Sequence, residues 1–137
     1  MTKKYLDGLT YQIIGAAIEV HKSLGPGLLE SVYHKCLKQE LFTQGISYQS
    51  ELLVPVYYKG INVDVDLRCD FLIESSVVIE LKSVEKLLPI FEAQLLTYMK
   101  LLKMPKGILI NFNCVNLFKE GQKTYVNEFF RNLLAGD

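Results

Sequence analysis

The chain has 137 residues, half of them hydrophobic, and its fifteen basic residues are balanced by fifteen acidic ones. This length and apolar content are enough for one ordinary domain with a real core, so we expect residues 1–137 to form a single domain. Since the net charge is zero, any surface for nucleic acid has to be local. Net charge therefore neither supports nor excludes DNA binding.

The cysteines and the N-terminus bear on the cellular compartment. Cys36, Cys69 and Cys114 are odd in number and form no Cys-x-x-Cys pair, which favours buried thiols in a reducing compartment. The residues after Lys3-Lys4 do not form the apolar run of a signal peptide. No apolar stretch approaches the roughly 20 residues that a membrane span requires. We therefore expect a cytoplasmic protein without a membrane span.

The N-terminal third is predicted to be helical. Apolar residues recur at steps of three or four from Leu9 to Leu24, which indicates a first helix that ends at Gly25-Pro26-Gly27. A second apolar stripe, from Leu29 to Leu41, predicts another helix, and Gly45 suits its C-terminal end.

Strand patterns follow the second helix. Residues 46–58 favour strands, with Pro55 at an edge or a bulge and Lys59-Gly60 as a hairpin turn. Strict alternation of apolar and polar residues from Ile61 to Ile73 predicts one long strand. A short strand rich in β-branched residues is predicted from Val77 to Lys82.

The C-terminal half returns to a helix and then a buried strand. Helical spacing predicts a third helix over about Pro89 to Lys103, and the apolar run from Gly107 to Phe112 is typical of a buried, parallel strand. Val115 to Phe118 is interpreted as a strand after a turn, while the remaining tail fits strand or helix. This order predicts an α/β fold with a mixed β-sheet of about four to five strands flanked by helices.

Four charges are predicted to share one face of the hairpin around Ser75. If residues 74–76 form a three-residue loop, Asp70 lies opposite Glu80, and Arg68 lies opposite Lys82. Opposed like charges on neighbouring strands destabilise a sheet, so the two carboxylates require a cation or diagonal ion pairs.

Both solutions are consistent with the residues. Diagonal pairs of Arg68 with Glu80 and of Lys82 with Asp70 would make an ordinary solvated face, which is common on antiparallel sheets. Alternatively, the two carboxylates would bind a hard divalent cation, with the Lys82 ammonium two residues along the same strand. The charge pattern alone does not require a cation.

Two motifs make the chain resemble a known family. Asp70 followed by Glu80-Leu81-Lys82 is similar to the Asp…(Asp/Glu)-x-Lys signature of the PD-(D/E)xK nucleases, although Cys69 replaces the signature proline. Residues 27–33 resemble the Gly-x-x-Glu-x-x-Tyr motif of the GxxExxY family within that superfamily. The resemblance extends over about residues 14–112. It implies a restriction-endonuclease-like core.

The resemblance also implies a set of site residues. Asp70 and Glu80 correspond to the metal-ligand carboxylates, with the Leu81 backbone carbonyl as a further ligand of Mg²⁺ or Mn²⁺. Lys82 matches the lysine that positions or activates water. Glu30 corresponds to a helical glutamate that acts near the metal; read from the residues alone, it could equally be a solvated helix residue.

Further candidates lie on either side of this core. Gln94 and Tyr98 are one helical turn apart and resemble the Gln-x-x-x-Tyr element of the RecB-like branch; the alternative is a buried glutamine capped by a tyrosine hydroxyl. Arg68 would contact a substrate phosphate or balance the carboxylates. A lone histidine on a helix more often makes a structural hydrogen bond than serves a site, so the structural interpretation of His21 is preferred.

The function implied by the resemblance is metal-dependent hydrolysis of DNA phosphodiester bonds. RNA hydrolysis would use the same site, and a non-catalytic nucleic-acid-binding or protein-interaction module would keep the same fold. Because one small domain offers little surface for wrapping DNA, we expect a homo-oligomer or a partner protein.

Overall fold

The computed structural model describes all 137 residues. It contains four α-helices, seven β-strands and one π-helix. In chain order these are α1 (Lys3–Leu24), α2 (Glu30–Thr43), β1 (Tyr48–Leu53), β2 (Val56–Tyr58), β3 (Ile61–Val63), β4 (Arg68–Ile73), β5 (Val77–Lys82), α3 (Pro89–Leu102), β6 (Lys106–Asn111), the π-helix (Leu117–Gly121), β7 (Gln122–Val126) and α4 (Glu128–Arg131).

Five strands form the main sheet, in the order β1-β4-β5-β6-β7. The β5–β6 pair is parallel and the other neighbours are antiparallel, while β2 and β3 form a separate hairpin. The predicted α/β fold, a mixed sheet of four to five strands flanked by helices, is confirmed.

Helices cover both faces of the sheet, which explains the apolar runs in its central strands. Ile79 and Ile108 pack in a core with residues of α1 and α2, whereas Val78 and Leu109 pack on the other face against α3. At Gly107 an added Cβ would lie 2.6 Å from Met99 Sδ, so a larger residue would require this α3 side chain to shift. None of the helices has the length and apolar content needed to cross a membrane.

The long strand predicted from Ile61 to Ile73 is wrong, because two strands occupy this stretch. Residues 61–63 pair with β2, residues 64–67 belong to no strand, and pairing with β1 begins at Arg68. The Val54 N–H donates to the Leu67 carbonyl at 2.6 Å and closes the base of the hairpin. Period-two alternation continues across the break, so the pattern alone could not reveal it.

The strand predicted from Val115 to Phe118 is also wrong. Val115 is 86% exposed, and the π-helix begins at Leu117, whose side chain is buried in the core. Gly121 ends the π-helix where an added Cβ would lie 2.5 Å from the Asn111 carbonyl oxygen, so this turn depends on a close backbone approach. The tail contains both a strand and a short helix. At the other terminus, α1 begins at Lys3, six residues before the predicted stripe, with Thr2 as its N-cap.

Candidate active site

Asp70 and Glu80 lie where the β4–β5 ladder ends. The ladder keeps the predicted register up to the Phe71–Ile79 pair, and Asp70 and Glu80 are the next residues on the two strands. Side chains then replace the backbone ladder: the Asp70 N–H donates to Glu80 Oε2 at 3.1 Å, and the Leu81 N–H donates to Asp70 Oδ2 at 2.7 Å. Each carboxylate is thus held by a backbone amide of the other strand.

An interruption on the other side of β4 helps to place Asp70. The ladder between β1 and β4 skips this position, and Glu51 on β1 adopts a left-handed φ of 52° there. The register is the same on both sides of this position, with Ser50 opposite Phe71 and Leu52 opposite Cys69, so no residue is inserted. Asp70 therefore lies at a break in the pairing of β4 with both of its neighbouring strands.

The carboxyl groups of this site repel each other. Glu80 is only 5% exposed, and its pKa is raised to about 9. Burial is the largest cause, and the side-chain hydrogen bond with Asp70 and the charge of Asp70 add to it. Burial and then the charge of Asp70 also raise the pKa of Glu30, while Lys82 lowers it. Carboxyl groups whose charged forms are disfavoured in this way would be stabilised by an added cation.

Lys82 contributes a positive charge that no carboxylate neutralises directly. It is the last residue of β5, and its ammonium lies 4.6 Å from the centre of the Phe91 ring in a cation–π contact. Its Nζ forms no salt bridge, so Lys82 does not make the diagonal ion pair with Asp70.

Arg68 makes its polar contacts with groups other than the two carboxylates. Its Nε lies 2.7 Å from Asp66 Oδ1, and its Nη1 donates to the Glu51 carbonyl at 3.2 Å. Since Arg68 makes no ion pair with Glu80, the second diagonal pair is absent as well. The contact of Arg68 with a substrate phosphate stays a prediction.

Glu30 is the first residue of α2, and Tyr33 fixes the loop that leads to it. The buried Tyr33 hydroxyl donates to the Gly25 carbonyl and accepts the Leu28 N–H at 3.2 Å. Its ring stacks on Phe112 with centroids 4.4 Å apart. Tyr33 thus holds the glycine-rich loop, residues 25–28, in place and fixes the position at which α2 begins with Glu30.

The backbone that follows Lys82 is fixed in a similar way. Ser83 Oγ donates to the Leu28 carbonyl at 2.6 Å and joins this segment to the loop before α2. The buried Asn111 side chain accepts the Val84 N–H at 3.1 Å and donates to the Val84 carbonyl at 3.0 Å. Lys82 therefore has a rigid chain on its C-terminal side.

Gln94 and Tyr98 form the predicted pair on α3. Gln94 Nε2 donates to the Tyr98 hydroxyl at 3.0 Å, as expected for a glutamine capped by a tyrosine hydroxyl. Burial, and next the charge of Glu80, raises the pKa of Tyr98, which places this pair in the electrostatic field of Glu80. His21 hydrogen-bonds through Nε2 to the Cys114 carbonyl at 2.8 Å, as its structural interpretation predicts.

His34 is a site neighbour that sequence reasoning missed. Its Nδ1 lies 3.8 Å from Asp70 Oδ1, its Nε2 hydrogen-bonds to Ser50 Oγ at 2.8 Å, and its ring stacks on Phe71 with centroids 4.4 Å apart. Its spacing of four from Glu30 was a usable signal, since such residues share a helix face.

A polar groove of about 500 Å³ opens beside these residues. All of its lining residues are polar or charged: Glu30, Ser31, His34, Lys35, Lys38, Ser50, Glu51 and Asp70. The groove thus joins the carboxylates of the site to two lysines of α2 that the sequence interpretation did not include.

Comparison with known proteins identifies the family. The sequence-family model of the PD-(D/E)XK nuclease superfamily matches residues 7–124, which is most of the chain. The chain belongs to the PD-(D/E)XK nuclease superfamily. No curated protein and no solved structure matches it. Within this superfamily, the five-stranded mixed sheet flanked by helices corresponds to the expected restriction-endonuclease-like core.

Members of the PD-(D/E)XK superfamily typically use divalent metal ions, which are bound by carboxylate oxygens and water. Asp70 and Glu80 offer crowded carboxylates of the kind that Mg²⁺ takes, and Mg²⁺ commonly completes its shell with water and substrate phosphate. No three or more histidine, cysteine, aspartate or glutamate side chains converge closely enough to hold an ion by themselves. The donors fit a two-carboxylate site that is completed from outside the protein.

Proposed function

We propose that the protein hydrolyses phosphodiester bonds of DNA with Mg²⁺ or Mn²⁺. The observation that carries this proposal is the carboxylate pair, Asp70 and Glu80, pinned by backbone amides at the end of two strands with Lys82 beside it. The Tyr33 contacts around the loop before α2 support membership of the GxxExxY family, and we propose that residues 1–137 form one nuclease-like domain.

Asp70 and Glu80 would hold the cation, with the Leu81 carbonyl as a further ligand. When bound, the divalent cation would neutralise phosphate charge and make a water molecule more acidic. A bound cation would also stabilise the charged carboxylates, because it would offset the repulsion that contributes to the raised pKa of Glu80. The two backbone hydrogen bonds keep the carboxylates in place before substrate arrives.

Lys82 would act on the reacting phosphate. Its ammonium has no carboxylate partner and rests on an aromatic ring, so it can turn to a phosphate oxygen without breaking an ion pair. A fixed positive charge at that position stabilises the charge that develops in the transition state. Arg68 is proposed as a further phosphate contact.

Glu30, Gln94 and Tyr98 would support the reaction from the two helices. Glu30 starts α2 in the field of Asp70 and can orient a water molecule. The Gln94–Tyr98 hydrogen bond fixes the side of α3 that faces Glu80 and can present the tyrosine hydroxyl to substrate.

One observation favours a second function. Because no three ligating side chains converge, the protein would hold a cation weakly in the absence of substrate. A non-catalytic module that binds nucleic acid or another protein would keep the same fold with such a site. Metal binding and cleavage distinguish the two functions.

The deciding experiment incubates the protein with linear duplex, circular and single-stranded DNA, and with RNA, in Mg²⁺ or Mn²⁺. Asp70→Asn and Lys82→Ala are expected to reduce DNA cleavage by roughly a hundredfold or more. Asp64→Asn and Lys100→Ala, exposed positions with the same charge changes, are the matched controls and should cleave like the unmodified protein.

Cleavage that survives both site substitutions would show that the assigned residues are wrong. Absence of cleavage on every substrate, together with no heat of metal binding in calorimetry, would support the non-catalytic module. Cleavage of RNA alone would keep the site and overturn the choice of DNA.

A further inference from the structure

One side of α2 leads away from the carboxylates. Glu30, His34, Lys38 and Phe42 occur at steps of four residues, so they form one stripe that winds slowly around the helix. The stripe begins beside Asp70 and ends at a phenylalanine that is 74% exposed. From Glu30 to Phe42 the stripe extends about 18 Å along the helix axis.

Two adjoining concavities follow this stripe. The first is the polar groove of about 500 Å³ at Asp70. The second, of about 520 Å³, is lined by Lys35, Lys38, Gln39, Phe42 and Tyr48. Because both are lined by Lys35 and Lys38, they adjoin at these two lysines, and together they are here called the α2 track, from Glu30 and Asp70 to Phe42.

The charges along the α2 track suit an anionic chain. Lys35 and Lys38 are exposed, and neither takes part in a salt bridge. Outside the carboxylates of the site itself, Glu51 is the one acidic residue that lines the track. Two unpaired lysines therefore follow the carboxylates in the direction of the exposed aromatic ring.

We propose that a single nucleic acid strand lies along the α2 track, with phosphates on Lys35 and Lys38 and an unpaired base against Phe42. A basic groove combined with an aromatic platform is how single strands are bound without sequence preference, since every base has a face that can stack. A base inside a duplex does not expose that face. The inference rests on the proposed function and defines the path of its substrate.

Binding of a fluorescein-labelled oligothymidylate, measured by anisotropy in EDTA, tests the phosphate contacts without cleavage. The Lys35→Gln/Lys38→Gln double variant is expected to bind on the order of tenfold more weakly, and its slope of log Kd against log salt should fall by about 1.4. The Lys100→Gln/Lys119→Gln double variant removes the same charge at exposed positions outside the track and should bind within about twofold of the unmodified protein. An oligouridylate should respond in the same way, because the phosphates are shared.

Variants at Phe42 test the base contact. Phe42→Ala is expected to weaken binding roughly fivefold or more, whereas Phe42→Trp should retain it. Phe42→Leu keeps an apolar side chain without a stacking face and should behave like alanine. Since the ring is exposed, thermal unfolding should be nearly the same in all three variants.

The outcomes separate this inference from the function on which it rests. Strong binding by the unmodified protein that neither the α2 lysines nor Phe42 affects would overturn the α2 track alone and leave the nuclease proposal intact. A preference for duplex that is unchanged in Phe42→Ala would also overturn it. If the unmodified protein binds no single strand but still cleaves duplex DNA, the α2 track fails alone; if it binds no strand and cleaves no DNA, the track and the proposed action on DNA both fail.

Discussion

At the scale of single residues, the site is built from a conflict between charges. Glu80 is buried beside Asp70, and a buried carboxyl next to another carboxyl resists ionisation. The protein meets this cost with two backbone hydrogen bonds, but these leave the like charges adjacent. The ionised Glu80 carboxylate therefore destabilises the metal-free protein, and binding of a cation beside it would be favourable.

Glu80→Gln should therefore stabilise the metal-free protein in a pH-dependent way. The folded pKa of Glu80, about 9, lies above the ordinary 4.5, so its stabilising contribution is complete below pH 4.5 and is lost as the pH rises towards 9. Glutamine resembles the protonated form and can still accept the Asp70 N–H. In EDTA, urea unfolding should show the variant gaining stability over the unmodified protein between pH 5 and pH 8.

The control for this change is Glu85→Gln at an exposed position, where the difference from the unmodified protein should hardly vary with pH. An equal free energy difference for Glu80→Gln at pH 5 and pH 8 would contradict the raised pKa. The same variant should lose metal-dependent cleavage, which separates its stability from its activity.

The sequence was sufficient for some of these residues and insufficient for others. Asp70 and Glu80 could be placed opposite each other because a three-residue loop and a buried apolar pattern set the register. The spacing of four residues from Glu30 indicated only that His34 shares its helix face; the contact of His34 with Asp70 depends on how α2 packs over the sheet. Arg68 was placed near Glu80 by register, but the local acceptors Asp66 and Glu51 compete successfully for its guanidinium.

At the scale of elements, the start of α2 is the feature that relates the motif to the site. No side chain caps this helix, so the loop before it depends on other contacts. Tyr33 supplies them by bonding to two backbone groups of the loop, and Ser83 joins the same loop to the end of β5. The helix carrying Glu30 and the strand carrying Lys82 are thereby held together.

Removing the Tyr33 hydroxyl should loosen this junction. Tyr33→Phe keeps the stacking on Phe112 but leaves backbone groups of the loop without a partner, and it should cost about 1–3 kcal/mol of unfolding free energy. If Glu30 takes part in the reaction, kcat should fall more than the loss of folded protein explains. Urea unfolding and cleavage rates measure the two effects.

Tyr11→Phe is the matched control, because Tyr11 is 82% exposed on α1 and should tolerate the loss of its hydroxyl within about 0.5 kcal/mol. Equal effects at the two positions would show that the loop contacts of Tyr33 do not matter for stability.

Element boundaries show where sequence patterns stop being informative. Alternation indicated the extended residues of β3 and β4, but it did not reveal the break at residues 64–67 or that β3 pairs with β2 while β4 pairs with β1. The π-helix from Leu117 to Gly121 depends on a close approach to Asn111, which lies in a neighbouring strand. In both cases the deciding contact lies outside the local window of sequence.

At the scale of the whole molecule, the sheet brings distant parts of the chain to one end. β4 begins at Arg68 and β5 ends at Lys82, so the carboxylates and the lysine meet at the same edge, where β6 also ends. The helices that cover the two faces supply Glu30 from one side and Tyr98 from the other. A zero net charge is compatible with this arrangement, because the charges that matter are local.

Because the site joins elements from the whole sheet, a bound cation should raise the stability of the entire fold. A ligand present at about a hundred times its Kd adds about 2.7 kcal/mol if it binds only the folded state. For a domain of this size that corresponds to a rise of several degrees in Tm. Calorimetric scans at pH 8 with Mn²⁺ or Mg²⁺ should show this rise in the unmodified protein, and EDTA should reverse it.

The shift should disappear in Asp70→Asn/Glu80→Gln, which has already lost the repulsion that the cation relieves. Asp64→Asn/Glu85→Gln removes the same charges from exposed positions and should keep it. Sodium chloride at matched ionic strength separates specific binding from screening of surface charges. An equal rise in both double variants would place the cation elsewhere on the molecule and remove the carboxylate pair from the proposed mechanism.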